Sequence, residues 1–447
     1  MCTQLLEIIL VDSSPHILAR DLLILYLMML PDTPDPLHDP ALVQAHAEKV
    51  VMVFYSVCLD METHALLCNT LHNLLNMTHK SFLHEMRQQV QMDASTYMLV
   101  QSVWSGWMSF ANDPSALHKL EKVRSLKVSG KMIKDVLARY IKSCPREHQK
   151  AVADWIKRGS MKKNRGGDFP NVTLACFSPL KREYLDKFED VSPKWSEETE
   201  WIKAVGVDDD MVYAPHGIDM IFQDWDFLTV SRCVNKKDVN LIDMYRIYLI
   251  QVFSRASYKL LRSNQVSINL IRLNVRDLAG DTQLLKGKFD RIATGIHADL
   301  LGTPYVLQHY GALLRTDNMY SRLLTHHRVW SLCLDWRSDQ QARETCLKSL
   351  KCNRAPDPLL MITGRWATFR HFLQAELLHH LHVLDGRPLE PENVLVFRNV
   401  SHAYDMILSD YTRQLNHLVP FRFQADKRTV SMVDSRLHTL EWRRLGR

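Results

Sequence analysis

Two aspartates stand where an apolar run gives way to a turn, a third opens a later short strand, and an acid at a strand end can accept hydrogen bonds from the hydroxyls of a nucleotide-type ligand. Asp12 closes the β-branched run Leu6, Ile8, Ile9, Leu10 and Val11 and is followed at once by Ser13, Ser14 and Pro15. Asp277 lies beyond the alternating Val266, Ile268, Leu270 and Ile271, and Asp290 sits in the segment Phe289, Asp290, Arg291, Ile292. In a doubly wound sheet Asp12 would face a ribose and Asp277 a base. Each also has a structural reading: strand-end acids cap the turn or helix that follows, and an acid beside Arg291 makes a surface pair.

Other clusters point away from chemistry. His371, His379, His380 and His382 lack both the H-E-x-x-H spacing and a Cys/His ligand set, and His84–Glu85 fails as a zinc motif because Gln88 takes the second histidine's place. They read as helix-face or core histidines. Asp208, Asp209 and Asp210 read as a solvated loop, so no metal is expected. The chain has no G-x-S-x-G elbow, no Walker A loop and no G-x-G-x-x-G turn, which weighs against an enzyme. The basic stretch KRGSMKKNRGG, residues 157–167, has no interleaved aromatics and reads as a solvated loop rather than a nucleic-acid site. An exposed pair among the ten tryptophans would mark a protein interface, and most are expected in the core.

The elements that would position the acids follow from periodicity. Ser14 is a suitable N-cap with Pro15 in the first turn, and Ile17, Leu18, Leu22, Leu25 and Met29 recur at helical spacing. Strand, acid, turn and helix together read as a second βα unit, whose preceding glycine-rich turn would lie before Met1; the chain is therefore expected to begin inside a fold. Residues 41–77 read as helices broken near Asp60, residues 79–110 continue the helical pattern to Trp104, Trp107 and Phe110, and Asn112, Asp113 and Pro114 form a boundary. Strand signals follow at Val172–Phe177, Met211–Ala214 and Leu228–Val230. A strong amphipathic helix over residues 238–263 leads to the strand ending toward Asp277. A short strand at Phe289, a helix carrying Leu307, Tyr310, Leu313 and Leu314, and a strand at Val329–Leu334 complete an α/β order, with helices expected at Trp366–His382 and His402–Leu418 and a strand at Val394–Phe397.

With 447 residues, 46% hydrophobic and 24% charged, the chain has room for two or three domains. A net charge of +6 over so large a surface is a poor argument for nucleic acid. Nine cysteines without any C-x-x-C pair read as reduced thiols. No apolar run is long enough to span a bilayer and no basic segment precedes the first one, so a cytoplasmic protein with no membrane partner is expected.

The segments EIILVDSSPHILARDLLILYLMMLPD and AEKVVMVFYSVCLDMETHALL resemble the amino-terminal domain of unknown function found in many fungal proteins and at the start of axonemal dynein assembly factor three. The likeness rests on an acid-terminated strand followed by Ile17, Leu18, Ala19, Arg20, Leu22 and Leu23. The segment KFDRIATGIHADLLGTPYVLQHYGALLR is similar to the family's FDRI strand, turn and helix through Phe289, Asp290, Arg291, Ile292, Asp299, Gly302 and Leu313, and the ending TLEWRRL is also family-like. The resemblance implies a methyltransferase-like Rossmann core without established activity and, in ciliated relatives, a cytoplasmic role in assembling dynein heavy-chain complexes. The family's opening strand with its glycine turn and the zinc-binding MYND finger of some fungal members have no counterpart here, which points to a truncated or degenerate copy.

The expected fold class is α/β: a split Rossmann-like, methyltransferase-like sheet with a large mainly helical insertion and a helical carboxy-terminal region. The expected parts are residues 1–111, the family domain without its first strand; 112–235, an insertion of helices, strands and turns; 236–345, the second half of the core; and 346–447, mainly helical. The expected function is that of a non-catalytic cytosolic scaffold or assembly factor with protein partners and no cofactor. The alternative is a degenerate or truncated S-adenosylmethionine-dependent methyltransferase-like enzyme, in which Asp12, Asp277 and Asp290 would line the cofactor site.

Overall fold

The computed structural model describes residues 6–30, 40–129, 138, 141–142, 146–161, 169–177, 211–213, 227–234, 239–262, 266–273, 286–294, 297–327, 373, 376–377, 404–408 and 438–445. They form a mixed α/β protein with small sheets, divided by its contacts into Met1–Asn274 and Val275–Arg447.

In the first unit, strand β1 (Leu6–Asp12) runs into helix α1 (Pro15–Met29), with Ser14 extended at the N-cap and proline in the first turn. Leu18, Ala19, Leu22, Leu23 and Leu27 are wholly inaccessible, and apolar residues surround the helix axis. Such a helix can only be central, and α1 packs against α2 and α5 among the elements that follow it. Those elements are α2 (Pro40–Tyr55), β2 (Cys58–Leu59), α3 (Met61–Leu75), α4 (His79–Glu85), β3 (Val90–Gln91), α5 (Ala94–Ala111), α6 (Ala116–Ser129) and α7 (Arg146–Arg158). The expected break near Asp60 is a start signal: its carboxylate accepts from Thr63 N at 2.8 Å and caps α3. Thr78 and Ser81 build a reciprocal capping box on α4, and Asp93 caps α5.

The unit continues through β4 (Phe169–Pro170), a 3-10 turn (Val172–Leu174), β5 (Ala175–Phe177), β6 (Met211–Tyr213), α8 (Phe227–Val234), α9 (Leu241–Arg262) and β7 (Val266–Arg272). Its main sheet has the order β1-β7-β3 and is parallel throughout, in register from Leu6 opposite Val266 to Asp12 opposite Arg272. Antiparallel pairs β2-β4 and β5-β6 stand apart from it. Trp104 and Trp107 are fully buried, and their indole N–H groups donate to Ala19 O at 3.1 Å and Ala175 O at 2.7 Å, tying α5 to α1 and β5.

In the second unit, β8 (Arg291–Ala293), α10 (His297–Leu301), α11 (Thr303–Gly311), β9 (Arg322–His327), β10 (Met406–Leu408) and β11 (His438–Arg444) follow in order. The sheet order is β10-β11-β9-β8, with β8 and β9 parallel and β11 antiparallel to both of its neighbours. The core gathers Val306, Leu307, Leu323, Met406, Leu440 and Trp442, none exposed.

Several local expectations differ from the structure: Val172–Leu174, expected in a strand, is a 3-10 turn, and Leu313 and Leu314 lie beyond the end of α11. Leu228–Val230 is part of helix α8, in which Val230 and Val234, four apart, are both buried. Met406–Leu408, expected in a helix, pairs with β11 as a strand, which brings Met406 into the core cluster with Leu440 and Trp442. Val90–Gln91 forms the unexpected strand β3, set up by Arg87 and Gln88, whose φ values of 52° and 56° turn the chain out of α4. The strand and helix expected at Val329–Leu334, Val394–Phe397 and most of Trp366–His382 lie outside the described residues.

Candidate functional site

The parallel register of β1 and β7 ends on Asp12 opposite Arg272, at the carboxyl ends of the strands, where open α/β sheets bind ligands. One backbone and one side-chain bond close this end: Leu273 N donates to Asp12 O at 3.2 Å, and Arg272 Nε donates to Ser13 O at 3.3 Å. Asp12 turns its carboxylate onto its own turn, Oδ1 accepting from Ser14 N at 2.7 Å. Ser14 then accepts the first helical bond, from Leu18 N at 3.2 Å, without a side-chain cap. Asp12 therefore does what a turn-closing aspartate does.

His16 is the second residue of α1, in its first turn, and is 8% exposed. Burial holds its pKa down to about 4, so the ring is neutral at physiological pH. It can accept or donate one hydrogen bond there but is no source of charge. The unfolded chain takes up this proton near pH 6.5, so stability is complete above that value and is lost as pH falls toward 4, by about 3 kcal/mol from His16. Denaturant unfolding across this window should show the loss, and His16→Leu should flatten it. In the second unit burial likewise holds His297 down to about 4, so the same direction is expected there.

Asp290, in the second unit, stands just before β8. Asn318 Nδ2 donates to its carboxylate, Arg315 Nε approaches to 3.7 Å, and its carbonyl accepts from Arg322 N at 2.9 Å. Arg315 grips Asp317 with two bonds of 2.9 and 2.7 Å. Asp290 thus anchors the turn between α11 and β9. Asp277, the acidic cluster at residues 208–210, residues 162–167 of the basic stretch, and His371, His379, His380 and His382 lie outside the described residues, while Lys157 and Arg158 of that stretch close helix α7.

Sequence reasoning missed the side chains that finish α2. The last carbonyls of a helix have no partner within it. Here Arg20, from α1, donates to Phe54 O and lies 4.7 Å over the Phe54 ring. Asn171, wholly buried, donates to Val53 O at 2.7 Å and Ser56 O at 2.6 Å while accepting from Thr173 Oγ1 at 2.7 Å. The only available signal was Arg20 itself, a charge inside an otherwise apolar helical stripe. A second missed group is the buried pair Arg322 Nε to Glu441 Oε1, 2.7 Å, beside Trp442 Nε1 donating to Thr325 Oγ1 at 3.0 Å.

Among the described residues no three His, Cys, Asp or Glu side chains converge as a metal site, and no helix is long and apolar enough to cross a membrane. No family model, curated protein or solved structure matches the chain.

Proposed function

We propose that this chain is a non-catalytic scaffold or assembly factor, of the kind the likeness to the dynein assembly factor family implies, acting through protein partners. The observation that carries this reading is the use made of the residues behind the likeness. Asp12 closes the turn into α1, and Arg20 closes the end of α2. These residues serve the framework, which is what a retained fold with a changed role would keep.

The finer fold reading belongs to the same proposal. A parallel β1-β7 pair with an acid at its carboxyl end suits one half of a methyltransferase-like sheet. In the second unit, the parallel pair β8-β9 with the reversed β11 lodged between β9 and β10 also has strand directions found in such a sheet. The same features favour the alternative, an S-adenosylmethionine-dependent enzyme with Asp12 on the ribose.

Calorimetric titration with S-adenosylmethionine and S-adenosylhomocysteine separates the two. The scaffold reading expects no binding heat. Micromolar binding abolished by Asp12→Ala would overturn it in favour of the enzyme.

A further inference from the structure

β1 has the composition of a central strand and the position of an edge. Ile8 and Leu10 on one face and Ile9 and Val11 on the other make a nearly continuous apolar run, the pattern of a strand flanked on both sides in a parallel sheet. Among the described residues only β7 pairs with it. Leu6 is 56% exposed, and the rest of the strand is exposed or half-buried. The opposite edge of the sheet is protected by shortness, since β3 has two residues. β1 has seven residues and carries no proline, lysine or bulge, the devices that usually blunt an edge.

The open backbone groups can be identified. Leu273 N donates to Asp12 O, so Asp12 points its peptide groups toward β7; with a period of two, Leu6, Ile8 and Leu10 do the same. Glu7, Ile9 and Val11 point theirs outward. Two-fold antiparallel pairing joins these groups only in registers that set odd residues against odd ones. Centred on Ile9, all seven residues pair, Glu7 faces Val11, Leu6 faces Asp12, and no like charges meet. Centred on Glu7, two carboxylates would stand face to face, and a register centred on Ile8 pairs fewer residues.

We propose that β1 is a self-association edge, pairing antiparallel with β1 of a second copy about a two-fold axis at Ile9, so that two three-stranded sheets become one of six. The inference does not depend on the scaffold reading, because it uses only the strand's position and register. A two-fold contact of this kind is self-limiting, each copy consuming the other's edge.

The test is sedimentation equilibrium of the full chain over a wide concentration range, with hydrogen exchange read at the amides of Glu7, Ile9 and Val11. The expected result is a reversible species of twice the chain mass, with those amides slowing as it forms. Ile9→Glu and Ile9→Lys each place like charges across the axis and should weaken association by about tenfold or more, and mixing the two variants should restore it. Val11→Lys, near the strand's end and opposite the partner's Glu7, should tighten it and serves if the Ile9 variants fail to fold. A chain monomeric at every concentration, a dimer whose β1 amides stay unprotected, or folded Ile9 variants that remain apart when mixed would overturn the proposal. The monomeric result would leave this edge to a strand from a different protein.

Discussion

Asn171→Ala is expected to destabilise the first unit by about 4 kcal/mol, because one side chain closes two buried carbonyls and its loss leaves both without a donor. Asn171 also orders its own turn, its Oδ1 accepting from Thr173 N at 3.3 Å and Thr173 Oγ1 at 2.7 Å, while its backbone N donates to Val57 O at 2.9 Å. Asn171→Asp should be no milder than alanine, since a carboxylate would offer acceptors to Val53 O and Ser56 O. Thr173→Val removes only the hydroxyl bond and should cost about 1 kcal/mol. Urea unfolding followed by tryptophan fluorescence is suited to this, with Trp107 bonded to Ala175 a few residues along. A loss below that of Thr173→Val would mean the carbonyls find donors without Asn171.

Glu441→Ala should cost the second unit a similar amount, about 3 to 5 kcal/mol, for a different reason. Glu441 is 1% exposed and meets an Arg322 side chain that is 11% exposed, so truncation leaves a nearly buried guanidinium without its counter-charge. Arg322 Nη1 also donates to Met319 O and Ser321 O at 2.8 Å, which fixes the turn entering β9. Replacing both partners, Arg322→Met with Glu441→Leu, should cost less than Glu441→Ala alone, because no charge is then stranded. Thermal unfolding of the three variants measures this coupling; strictly additive losses would show that the pair does not act as a unit.

The parts of the fold legible in the sequence were those where one period dominates. α1 and α9 follow from apolar residues at helical spacing and β7 from alternation; the interruption near Asp60 was legible but not its role as a cap, and Ser14 stands at the expected N-cap position without a side-chain bond. The three-residue strand β10 and helix α8 were misread because segments that short carry little more than one repeat, and tertiary pairing decides them. Of the candidate site, the place of Asp12 at a strand end was legible, whereas its bond to Ser14 N depends on how the turn closes. Asn171, Glu441 and Arg322 were illegible for a common reason. Each is a polar residue whose partner is distant in sequence, and composition alone reads such a residue as solvent-facing.

The way α2 ends sets an order of events. Its final turn is completed by Arg20, 34 positions from Phe54, and by Asn171, 118 positions from Val53. A helix terminus capped by neighbouring residues can form and fray independently, but this one gains its last hydrogen bonds only after two remote stretches of chain have docked. Loop-closure entropy must be met first, so the end of α2 belongs to the late steps of folding. Once docked, it opens only when those contacts open with it. The amides there should therefore exchange by the slow cooperative route of the core, although they sit at the end of a helix.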